Sequence, residues 1–118
     1  MKLSLIAESS INALILRNQI IETIRCPNDS LEIKTWSYTK SKEDYDLIFH
    51  NPHQYVDEPS KNVLFRLTLD GAIVSFEPVW WSNNPKPSDD MICLHVGRLT
   101  EFLLCYFKNG FIKFVIVN

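Results

Sequence analysis

A chain of 118 residues that is 46% apolar and 22% charged can build one core without staples, so a single domain over 1–118 is expected. Its net charge is only −2, and the acids are massed in the middle of the chain, the opposite of the concentrated basic face that nucleic-acid binding needs; no apolar run is long enough to cross a bilayer. Three cysteines (Cys26, Cys93, Cys105) are an odd number without framework spacing, which points to free thiols and a reducing cytoplasm.

The N-terminal stretch has the outline of a secretory signal, but Glu8, Asn12 and Arg17 interrupt its apolar part and no small-residue cleavage site follows. Leu3 to Ala7 fits either a short strand or the start of a helix. The periodicity predicts a helix over 9–25, capped by Ser9 or Ser10, with Ile11, Leu14, Ile15, Ile21 and Ile24 on one stripe and Leu16 and Ile20 widening it. Cys26-Pro27-Asn28-Asp29 should stop it, because the residue before proline avoids the helical region. A strand is predicted over 31–39, with a bulge near Lys34 or Thr35 to reconcile Leu31 and Ile33 with Trp36 and Tyr38. A second follows over 44–50, with Tyr45, Leu47 and Phe49 inward and Asp44, Asp46 and His50 outward.

The organising stretch is 62–81. Asp70-Gly71 between two apolar runs is a strong hairpin signal, and a type I′ turn there would set Leu69 against Ala72, Leu67 against Val74, Phe65 against Phe76 and Val63 against Pro78. That register puts apolar residues on one face and Arg66 and Glu77 on the other, as diagonal neighbours. Trp80 continues the core parity and Trp81 falls on the mixed face, either under a helix or as an exposed anchor. Loops 51–61 and 82–90 should be exposed. Residues 91–96 read as a strand, although Ile92, Val96, Leu99, Leu103 and Tyr106 also fit one long helix; Gly97 punctuates the run, which favours a helix from about Arg98 that presents Leu99, Phe102, Leu103 and Tyr106. Asn109-Gly110 ends that helix, and 111–117 reads as a central strand covered on both faces. The expected fold is α+β: a mostly antiparallel twisted sheet of five to six strands with two helices packed on it, in the order α-β-β-β-β-β-α-β, the last β-α-β unit able to add one parallel pair.

Motifs for chemistry are weak. His50-Asn51-Pro52-His53, with Cys93 and His95, has the ligand types of a zinc site but no standard spacing, so no metal is assigned. Cys93 or Cys105 with His95 is the only thiol–base combination, and both thiols lie in apolar runs. Gly71, Gly97 and Gly110 are taken up by turns and caps, which leaves no phosphate cradle and no cofactor signal.

Charge placement is more informative. Residues 42–90 hold nine acidic against four basic residues, while 91–118 hold one against three. Carboxylates paired at Asp44/Asp46, Asp57/Glu58 and Asp89/Asp90 suit contact with a partner's cations better than acid–base catalysis, which needs a desolvated carboxyl. With Trp81 and Tyr55 as apolar anchors, these acids form the candidate partner-binding set. In size, charge and this pattern the chain resembles the small immunity proteins that bacteria make against contact-dependent and other polymorphic toxins. That resemblance implies a non-enzymatic cytoplasmic inhibitor that occludes the active site of a cognate, basic, nuclease-like toxin domain. The competing reading is a small enzyme or ligand-binding module with a pocket lined by His50, His53, His95 and Cys93.

Overall fold

β1 (Lys2–Ala7), α1 (Ala13–Arg25), the helical turn α2 (Leu31–Lys34), β2 (Trp36–Lys40), β3 (Asp46–His50), β4 (Leu64–Asp70), β5 (Ile73–Val79), α3 (Asp89–Tyr106) and β6 (Phe111–Val117) follow one another in a computed structural model. It describes residues 1–27 and 31–118, the side chains of 31 and 32 apart. The strands form one six-stranded sheet in the order β2-β3-β4-β5-β1-β6, and every neighbouring pair is antiparallel. Both long helices pack on one face, where Leu3, Leu5, Ile48, Phe65, Val74 and Phe76 meet Leu16, Ile20, Leu99 and Leu103 in a single core. The fold is thus α+β with an antiparallel sheet and two packed helices, as expected, but without a parallel pair. The sixth strand is Lys2–Ala7; the predicted strand over 91–96 is helical.

The central hairpin forms with a register two residues from the expected one. Asp70 pairs with Ile73, Leu69 with Val74, Leu67 with Phe76 and Phe65 with Pro78. Gly71 has φ +58° and Ala72 is not in the left-handed region, so glycine takes the first central position, as a type II′ turn requires. A shift of two preserves side-chain parity, so the apolar face still points at the helices. Arg66 and Glu77 become directly opposite, and the Arg66 guanidinium donates to Glu77 Oε2 at 2.7 Å. Pro78 lies beyond the reach of β1, which pairs with β5 only from Ile73 to Phe76, so its missing donor breaks no bond there.

The α1 stripe is narrower than predicted and rotated. Asn12, at φ 68°, caps the helix by accepting from the Ile15 N–H at 3.0 Å; neither Ser9 nor Ser10 does so. Ala13, Leu16, Ile20 and Ile24 are buried, while Leu14 and Ile15 are exposed. The helix ends at Arg25; Asn28 and Asp29 of the predicted stop lie outside the described residues. The parity slip in the predicted strand 31–39 is a helical turn giving way to a strand at Trp36, with no bulge involved.

β3 is inverted relative to expectation. Ile48 pairs with Phe65 on the core face, which carries Asp46 and His50 inward with it, while Leu47 and Phe49 face the opposite side. β6 is an edge strand, and Ile112, Ile116 and Val117 are exposed on it; it is neither central nor covered on both faces.

α3 begins seven residues before Val96. The Ser88 hydroxyl accepts from the Met91 N–H at 3.3 Å, and Asp89 and Asp90 occupy the first turn, where the helix dipole favours negative charge. Ile92, His95, Val96, Leu99, Phe102 and Leu103 then form one buried stripe. Gly97 is exposed in mid-helix, and an added Cβ would meet nothing within 4 Å. Gly97→Ala should therefore stabilise the protein by about 1 kcal/mol, read as a higher urea midpoint with an unchanged m-value.

Candidate functional site

Two of the concave regions among the described residues lie on opposite layers. The first is on the helix-free face of the sheet. Leu47, Leu64 and Val79 form its floor, the β2–β3 turn with Ser41, Glu43 and Tyr45 forms one wall, and the chain from Trp80 to Asn84 forms the other, enclosing about 790 Å³. Leu47 and Leu64 are buried although no helix covers them, because these flanking segments fold over this face. Trp80, expected in the core, is half-buried in the cleft wall, and Trp81 lines the same cleft and remains 41% exposed. Across from them Tyr45 is 44% exposed and takes the Arg66 guanidinium on its ring at 4.8 Å. Lys86 stands 6.0 Å from the Trp80 ring. Arg66 Nε is buried in this setting without a hydrogen-bond partner among the described residues.

The second region lies between loop 51–61 and α3. His50 ends β3, and the 3-10 turn Asn51–His53 folds the chain back, so His50 Nδ1 and His53 Nδ1 meet at 2.7 Å; one ring donates and the other accepts. His53 and His95 are edge to face with centroids 5.5 Å apart, and Trp36 packs on His50 at 5.2 Å. His95 is fully buried. Its Nε2 lies 3.2 Å from the Lys61 carbonyl, which can only accept, so Nε2 carries the proton; Nδ1 has no partner among the described residues. Burial pushes His50 and His95 down to about 4 and lowers His53; the Arg98 guanidinium adds to the effect on His50 and His53, and the carbonyl partner opposes it at His95. All three rings are therefore neutral at pH 7. Beside them, a pocket of about 330 Å³ is walled by Trp36, His50, His53, Arg98, Glu101 and Phe102.

His50, His53 and His95, grouped in the competing reading of the sequence, do converge, although His50 was expected to face outward and His95 to lie on a strand over 91–96 rather than on α3. Cys93 does not join: it and Cys105, expected to be buried, are exposed, as is Cys26. No group of three or more His, Cys, Asp or Glu side chains among the described residues is placed to hold a metal ion, and no helix there is long and apolar enough to cross a membrane.

The predicted partner-binding residues divide among four settings. Trp81 lines the open-face cleft; Asp44, at φ 70° between the lining residues Glu43 and Tyr45, does not line it but pairs with Lys40 at 3.4 Å and is otherwise exposed. Asp57 and Glu58 are exposed in loop 51–61, where Glu58 pairs with Lys61, and exposed Asp89 and Asp90 lie at the start of the helix against which that loop packs. Tyr55 is held internally, its backbone N–H and C=O bonded by the Asn62 side chain and its ring under Lys61. Asp46 is turned toward the helices, where it accepts from Tyr38 Oη at 2.6 Å and lies 3.7 Å from Arg17 and 3.8 Å from Lys40. Asp46, expected outward, is a structural acceptor. Comparison with protein families, curated proteins and solved structures gave no match.

Proposed function

We propose that this chain is a small cytoplasmic immunity-type protein that binds a cognate bacterial toxin domain, basic and nuclease-like, and neutralises it by covering its active site. The observation that carries this reading is Trp81: a large aromatic side chain, 41% exposed, on the rim of an apolar-floored cleft with Tyr45 opposite. Partly exposed tryptophan beside a pocket is the residue type that most often dominates binding energy. Around it Glu43 and Asp44 carry the acidic character that attracts a basic surface, and Asp57, Glu58, Asp89 and Asp90 extend that character along the other layer. In this mechanism charge accelerates encounter, and the tryptophan sets the dissociation rate.

The test begins with recovery of the protein from its host and identification of the copurifying partner. Trp81→Ala should then weaken binding about 30-fold or more, mainly through faster dissociation. Reversing Asp89 and Asp90 to lysine should slow association and flatten its dependence on salt. Unchanged rates in both variants would dismiss the mechanism.

A second reading, a small enzyme or ligand-binding module, is favoured by one observation: three neutral imidazoles converge beside the 330 Å³ pocket. Turnover of a small compound by the purified chain, lost in His53→Asn with the fold intact, would select it.

A further inference from the structure

The two edges of the sheet are built differently. β2 is short, and its sequence Trp-Ser-Tyr-Thr-Lys is mostly polar; Lys40 stands at its end. β6 has seven residues, Phe-Ile-Lys-Phe-Val-Ile-Val, and only Lys113 among them is charged. Its inner side pairs with β1, and its outer side is an edge of the sheet. Proteins ordinarily blunt such edges with charge, proline or shortness, since an exposed row of N–H and C=O groups templates another strand. Here Ile112 is 69% exposed, Ile116 46% and Val117 52%, beyond the main contacts of α1 and α3.

We propose that β6 is a self-association edge, where two copies of this chain join their β6 strands antiparallel about a two-fold axis through Phe114 and continue one sheet across both molecules. The strand is its own complement in that register. Ile112 opposes Ile116 of the second copy, Lys113 opposes Val115, and Phe111 opposes Val117, so no like charges face each other. A two-fold contact repeats each pair, so one side chain acts twice. Charge argues against the basic partner proposed above, whereas the two-fold register lets a second copy dock with no cation directly opposite another. Lys2 pairs with Val117 and Lys113 sits mid-strand, so this edge is the wrong sign for a basic surface. The two copies of Lys113 lie diagonally across the junction, within mutual range. Association should therefore strengthen with salt, opposite to a contact built on ion pairs.

Sedimentation equilibrium on the full chain, from micromolar to millimolar and in low and high salt, tests this. The expected result is a monomer–dimer equilibrium that shifts toward dimer as salt rises. Ile112→Lys should raise the dissociation constant about tenfold or more, because it removes two apolar cross-strand pairs. Should that variant fold poorly, Val117→Lys makes the same comparison at a second exposed position. A wild-type chain that remains monomeric at millimolar concentration overturns the proposal. So does a dimer indifferent to both substitutions, or open-ended growth, which would mean that β6 meets a different edge.

Discussion

Acidification from pH 7 to pH 4 is expected to cost the folded state about 4 kcal/mol, most of it at the imidazoles between β3 and α3. His50 and His95 have folded pKa values of about 4, against 6.5 for a free imidazole, chiefly because burial disfavours the charged ring. The unfolded chain therefore binds more protons than the native one between these limits, and stability must fall as pH drops through that window. Well above pH 6.5 both states leave the rings neutral, and this contribution is flat. Each shift is worth at most about 3 kcal/mol, and the two partly share the same environment, which sets the total near 4. The charged groups facing the cluster are Arg98, which opposes protonation, and Glu101, which favours it at His50 but is engaged with Arg98 at 3.3 Å. Urea unfolding at stepped pH checks the result. His95→Gln keeps an amide N–H for the Lys61 carbonyl and removes the titration, so its acid limb should be shallower by up to about 1.4 kcal/mol per pH unit. An acid limb that superimposes on the wild type would refute the assignment.

Asp46→Ala should cost about 2–3 kcal/mol of stability, a large effect for a residue whose type suggests a solvated surface. Its carboxylate accepts the Tyr38 hydroxyl at 2.6 Å in a part-buried setting, and the Arg17 and Lys40 contacts, longer and partly exposed, add little. Burial pushes the Tyr38 phenol up to about 12, and the hydrogen bond and charge of Asp46 support the shift. In Asp46→Asn the phenol should titrate lower yet remain above its ordinary value of 10, since burial persists. Ultraviolet titration of the folded protein reads this directly. An Asp46→Ala protein with wild-type stability would restore Asp46 to the partner-binding set.

Much of the architecture was legible in the chain. Asp70-Gly71 announced its hairpin, and the alternation on either side survived a two-residue change of register because parity is unaffected by an even shift. Errors arose where a local signal has two physical meanings. Gly97 punctuates a strand or sits harmlessly on the solvent side of a helix; the Ser88-Asp89-Asp90 cap was the better cue, since it supplies an acceptor and two favourable charges at one helix end. Continuous apolarity in 111–117 marks a strand buried on both faces or an exposed edge, and composition cannot tell them apart.

By itself the sequence determined the α+β class, the central hairpin and the acidic middle, because period, turn chemistry and charge are properties of neighbouring residues. Only the tertiary structure decided which way β3 faces, that Trp81 stands beside an open cleft, that β6 is an edge, and that His50, His53 and His95 meet. Those outcomes depend on strand order and helix placement, which bring together side chains up to dozens of positions apart. Asp46 makes the reason concrete: its charge points to water, but Ile48 two residues on must pack against Phe65's layer, and strand geometry carries both to the same side.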